Sequence, residues 1–295
     1  MKIFKQIPVF AVAFLLLPGC QKEAPGGSGL PMRIEASLAE ETKGSLTTDS
    51  LTDFFVQITC SDDQSQYNYS GKVIKKDGKW SSAQPVLWKD KTTPVTYVAA
   101  RFGLHAFTPA EFTDGVDLSV PEDQSTQAKL DAADLVFKPF TSVSYNQVSG
   151  VLSFPFQHML TRLNIILTLG PGFYENGYGQ STSPVTGFTV KGSDTGFKFN
   201  PSATVSKVSV ISGTQADIVP LTGNYTPGTA DSKSSTANYE AILVPQELAA
   251  GALKVTFKVG IFGYEWSNAV DLTLSPGQSY TLELDVTDAP APSNP

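Results

Sequence analysis

The sequence predicts an all-β protein carried behind an export signal. Three observations predict it: apolar residues recur at every second position, turn formers punctuate those runs, and no long amphipathic helix occurs. Leu163, Ile165, Leu167 and Leu169 fall on one face of a strand, with Asn164 and Thr168 opposite. Leu253, Val255, Phe257 and Val259 alternate with Lys254, Thr256 and Lys258, and Tyr280, Leu282, Leu284 and Val286 with Thr281, Glu283 and Asp285. This is the pattern of half-buried antiparallel strands. Ile34/Ala36/Leu38, Val95/Tyr97/Ala99 and Leu152/Phe154/Phe156 repeat it more briefly. Short helices are expected only near Pro109–Phe112 and Ala128–Leu135.

The N-terminus carries the export signal. Lys2 and Lys5 precede an unbroken apolar run from Val9 to Leu17. A bilayer span needs about 20 apolar residues, so the run fits a signal-peptide core instead. It ends in Leu17-Pro18-Gly19-Cys20, which resembles the bacterial lipobox, with Pro18 an unusual choice. Residues 1–19 are thus read as a signal peptide, Cys20 as the lipidation site and 20–33 as a Gly- and Pro-rich tether. More than one acyl chain anchors stably, because each buried methylene contributes about 0.8 kcal/mol. This predicts attachment to the cell outer membrane at the cell surface.

Composition excludes some partners. The full chain has net charge −7, and the signal peptide carries two of its 21 basic residues and none of its 28 acidic ones. The mature chain is therefore more acidic still, which argues against nucleic acid as a partner. With Cys20 acylated, Cys60 has no disulfide partner; it lies in phase with Phe54, Val56 and Ile58 and reads as a small buried hydrophobe.

Two bodies are expected. Residues 34–145 and 146–288 each hold about seven strand-like runs, a common sandwich size. Residues 289–295 read as a disordered Pro-rich tail.

Catalytic constellations are missing from the pattern. The two histidines, His105 and His158, fall in different expected bodies, and neither has a cysteine or histidine at zinc spacing. Asp194-Thr195-Gly196 spells an aspartic-protease triplet, but that chemistry needs two such aspartates; a turn is the simpler reading. No enzyme activity, metal or cofactor is expected. The segment Gly170–Gln180 carries Phe173, Tyr174 and Tyr178 among glycines. Exposed there, the rings would stack on a glycan or a host or microbial protein; folded back, they would complete the core.

Stretches spread over the mature chain resemble the fimbrillin family, the subunits and accessory lipoproteins of type V pili. They are Ile34–Leu38 followed by Glu41-Thr42-Lys43-Gly44; Trp80, Trp88 and Val95–Ala100; Ala132-Ala133-Asp134-Leu135 ahead of Phe156-x-His158-x-Leu160; Tyr239–Gln246; and Leu274–Tyr280. The resemblance implies two tandem transthyretin-like β-sandwich domains and a structural or adhesive role in a pilus. It also implies assembly by donor-strand exchange: a trypsin-like protease removes the first strand, and a strand of another subunit fills the groove. On that pattern Ile34, Ala36 and Leu38 are the plug's inward side chains, and the cut falls between Lys43 and Gly44. Lys43 departs from the arginine usual in the family. The C-terminal run Tyr280–Val286 is the expected donor. The alternative reading is a lipid-anchored glycan-binding protein.

Overall fold

The computed structural model describes residues 29–40, 44–62 and 65–287. Cys20, Lys43 and the tail 289–295 lie outside the described residues. The all-β expectation holds: strands form three core layers, and the helices are short. The two helices expected from sequence occur as Pro109–Asp114 and Gln127–Ala133. The first has Thr108 and Glu111 in a reciprocal capping box, with proline in its first turn.

The first body is one curled seven-stranded sheet. Its spatial order is Arg33–Leu38, Val151–His158, Val136–Val143, Val95–Arg101, Asp53–Cys60, Tyr69–Lys76, Lys79–Ser82. One face encloses Phe54, Val56, Val73, Tyr97, Phe154 and Phe156. Because these side chains all come from one sheet, the sheet closes around its own core, and its two edge strands come face to face. Trp88 is fully buried beneath it, its indole N–H donating to the Gly150 carbonyl at 3.3 Å.

The second body is a two-sheet sandwich. A four-stranded sheet, ordered Leu221–Thr226, Ser235–Leu243, Thr161–Leu169, Ser279–Val286, faces a three-stranded one, Val185–Lys191, Lys254–Val259, Phe262–Ser267. The alternating residues read from sequence meet between them: Leu163, Ile165, Leu167 and Leu169 from one side, Val255, Phe257 and Val259 from the other.

Two features differ from the sequence expectation. The boundary after residue 145 falls too early, because Val151–His158 pairs with Arg33–Leu38 and Val136–Val143 in the first sheet. The chain changes sheets at Met159 and Leu160, between adjacent strands. Just past that expected boundary lies a one-turn helix, Tyr145–Val148, ended by Ser149 and Gly150 with positive φ. Second, a third core joins the two bodies. The outer face of the first sheet supplies Val98, Ala100 and Phe137, which pack on Phe112 and Leu130 of the helices and on Phe197 and Phe199. Covered on both faces, Val95–Arg101 loses its polar alternation.

Candidate assembly site

The first strand of the seven-stranded sheet, Arg33–Leu38, follows the short pairing of Leu30–Pro31 with Leu87–Trp88 and is an edge strand in parallel register with Val151–His158, so Ile34 stands opposite Leu152, Ala36 opposite Phe154 and Leu38 opposite Phe156. Ile34 and Ala36 are half-buried and Leu38 is buried, all three against the first core. Beneath them Phe54 contacts Trp80, Phe154 and Phe156, each with ring centroids 5.1 Å apart. Backbone bonds close the strand at both ends: Arg33 N–H donates to Gly150 O at 3.1 Å, and Ala39 N–H to Phe156 O at 2.8 Å.

Its other edge faces a groove of about 1090 Å³. Ile34 and Ala36 line one wall; Lys79–Ser82, the opposite edge of the same sheet, lines the other with Trp80. The curled sheet is thus left open along the middle of this strand, between Met32, whose N–H donates to Val86 O at 2.9 Å, and Leu38, whose N–H donates to Thr48 Oγ1 at 3.0 Å. Unpaired strand edges are templates for pairing with another chain.

The last strand, Ser279–Val286, occupies the matching position in the second body. It is the edge of the four-stranded sheet, parallel to Thr161–Leu169 from Arg162↔Ser279 to Leu169↔Val286. Arg33–Leu38 and Ser279–Val286 therefore form parallel edge strands on two successive strands, Val151–His158 and Thr161–Leu169. Leu284 is buried, while Thr281, Glu283 and Asp285 point outward.

Behind the first strand Gly44 sits in a polar clamp. The Asp134 carboxylate Oδ2 accepts from Ser45 N–H at 2.7 Å and Leu46 N–H at 3.0 Å. Ser45 Oγ donates to Asp131, at 2.5 Å from Oδ1. Arg162 Nη1 donates to the Gly44 carbonyl at 3.2 Å, and its Nη2 pairs with Glu240 at 2.7 Å. His158 Nδ1 lies 2.9 Å from Asp134 Oδ2, and both side chains are 1% exposed. A Cβ on residue 44 would sit 2.0 Å from His158 Nδ1 and 2.3 Å from Asp134 Oδ2, so only glycine fits there. Sequence reading missed Asp134 as a site residue. Its signal was a lone acid inside the apolar run Ala132–Phe137, since aspartate is almost never fully buried unless paired.

The other sequence candidates resolve as scaffold. Asp194 is a turn clamp: its carboxylate accepts from Thr214 N–H at 2.7 Å, and Gln246 bonds both its N–H and its C=O at 3.0 Å. His105 contacts Glu111 at 3.2 Å and packs edge-on to Phe107. The aromatic segment folds back: Pro171–Glu175 is a short helix, and Phe173 is 1% exposed, which withdraws it from any ligand. Tyr174 packs by Gly228 and Tyr178 by Gly260, both half-buried. Among the described residues no helix is long and apolar enough to cross a membrane.

A β-sandwich protein with an open-edged curled sheet and a parallel edge strand in each body is the class these features define. The fimbrillin-like family model matches residues 42–294, and the chain belongs to that family. No curated protein matches the sequence. Two solved structures share the fold. One is a candidate cell adhesion protein of Bacteroides uniformis, 14% identical, with TM-score 0.57 over 87% of this chain and 93% of that one. The other, from Bacteroides ovatus, is 12% identical, with TM-score 0.58 over 88% and 92%. The fimbrial anchor protein Mfa2 of Porphyromonas gingivalis matches at 10% identity and TM-score 0.39, over 82% of each chain.

Proposed function

We propose that this protein is a structural or adhesive component of a cell-surface pilus, brought to the surface as a precursor lipid-anchored through Cys20 and, after processing, assembled by donor-strand exchange. The observation that carries the reading is the first strand: an edge strand over an aromatic bed, with a groove along its free side. A trypsin-like protease cuts after Lys43 and releases the strand. Loss of Ile34, Ala36 and Leu38 uncovers Leu152, Phe154 and Phe156. A donor strand, the Ser279–Val286 segment of another subunit, then restores the backbone bonds and fills the same positions with alternate side chains. Its Tyr280, Leu282, Leu284 and Val286 have the required period of two.

The test treats residues 21–295 with limiting trypsin and runs the product unboiled beside boiled on a denaturing gel, with the new N-terminus sequenced. A cut after Lys43 with a heat-sensitive ladder is expected of a polymerising subunit. A cut without a ladder identifies a subunit that needs a different partner. No cut, with a permanent monomer, overturns strand release.

A further inference from the structure

We infer that Asp134 and His158 form a receptor for the α-ammonium of Gly44, so that processing locks the new chain end into the protein. This inference rests on the proposed cut behind the first strand. Hydrolysis adds water across the Lys43–Gly44 amide. The water oxygen joins the carbonyl carbon to give the Lys43 carboxylate, the C–N bond breaks, and both water hydrogens end on nitrogen as the Gly44 ammonium.

The pocket is under-satisfied before the cut. Asp134 Oδ1 and both ring nitrogens of His158 are buried without an aligned hydrogen bond, the 2.9 Å contact to Oδ2 lying off the N–H direction. Buried polar atoms without partners are unfavourable, so Asp134 Oδ1 and whichever ring nitrogen of His158 carries no proton hold unused capacity for a donor. An ammonium brings three donors and the charge that a buried carboxylate lacks. The other charged groups nearby are already engaged. Arg162 bonds Gly44 O and Glu240, and Asp131 accepts from Ser45 and Gln127.

Position fits as well. With a Cβ position 2.0 Å from His158 Nδ1, the Gly44 Cα lies within about 3.5 Å of that nitrogen, and the Gly44 nitrogen is one ~1.5 Å bond from the Cα. Ser45 and Leu46 are already pinned to the same carboxylate. The terminus therefore needs no long search. Cutting one residue away would place the ammonium outside the pocket.

The experiment uses residues 21–295 with the recognition site of a sequence-specific protease ending immediately before Gly44, so a Gly44 terminus forms whether or not Lys43 is a natural cut site. A second preparation is cut one residue earlier. A third carries Asp134→Asn with the Gly44 terminus. Each native cut protein is treated with an amine-acetylating reagent, and labelling of the new terminus is followed by mass spectrometry against the same protein in denaturant. The Gly44 terminus is expected to react at least about tenfold more slowly than in denaturant. The extended terminus and the Asp134→Asn terminus are expected to react at close to the denatured rate. Equal reactivity of the Gly44 and extended termini overturns the receptor, even if Asp134→Asn fails to fold. Absence of trypsin cleavage at Lys43 removes strand release and leaves this result standing.

Discussion

Ala36 stands opposite Phe154 in a parallel register at the edge of the first sheet. Its methyl and the Leu38 side chain two residues on rest on the same ring cluster. That face and the backbone ladder to Val151–His158 fasten the first strand, while the middle of its other edge opens on the groove. Leu38→Asp places a carboxylate on the apolar bed, at a cost of about 2 kcal/mol or more. Amide exchange of residues 33–38 is expected to speed up at least about tenfold, while strands of the second sandwich keep their protection. Uniform acceleration across both bodies would show that the first strand does not open separately.

Gln124 is fully buried and completes the backbone of a strand end: its amide N donates to Ile242 O at 2.9 Å, and its amide O accepts from Ile242 N–H at 2.7 Å. Gln124→Ala leaves both main-chain groups unpaired inside the third core. The expected loss is about 2–4 kcal/mol in urea unfolding. Gln124→Glu retains the acceptor and loses the donor, so it is expected to be destabilised too. A change below about 0.5 kcal/mol for Gln124→Ala would mean that water replaces the amide there.

Much of this architecture was legible as a period of two. Leu163–Leu169, Leu253–Val259 and Tyr280–Val286 show their buried faces in the sequence because one side of each strand meets a core and the other is less covered. The third core was not legible. It covers the second face of Val95–Arg101 with helices and with strands from residues 116–210, and nothing local records such distant contacts. The boundary was misplaced for a related reason. Turn chemistry at Ser149-Gly150 is local, whereas the sheet that Val151–His158 joins is decided by its pairing with Arg33–Leu38, more than a hundred residues earlier. At the candidate site the edge strand's inward residues were readable. The clamp around Gly44 was not, because Asp131, Asp134, His158 and Arg162 converge only in the fold.

Cys60 is 2% exposed, and its thiol donates to Asp62 Oδ1 at 2.9 Å. Burial, and then the Asp62 carboxylate beside it, push the thiol's pKa up. Less thiolate and little access both slow reaction. Native protein at pH 8 is expected to react with a thiol-specific reagent at least about a hundredfold more slowly than denatured protein. Rapid native labelling would make Cys60 a reactive thiol after all.

Tyr239 stacks on Phe188 with centroids 3.7 Å apart, and burial pushes its phenol up to about 12 from an ordinary value of 10.0. In the unfolded chain the phenol titrates near 10. Below that pH both states are protonated, and the stabilising difference is fully present. Between about pH 10 and pH 12 the unfolded chain ionises while the folded one does not, so stability falls as pH rises, by about 2–3 kcal/mol across the window. Tyr239→Phe removes the ionisation and keeps the stack, at a neutral-pH cost of about 1 kcal/mol or less. Burial also raises Tyr97 and Tyr264, so the variant's profile is expected to be less steep rather than flat. Urea unfolding of both proteins from pH 8 to 11.5 measures the difference. Parallel profiles would mean that the Tyr239 hydroxyl reaches water in the folded protein and that the ring alone is buried.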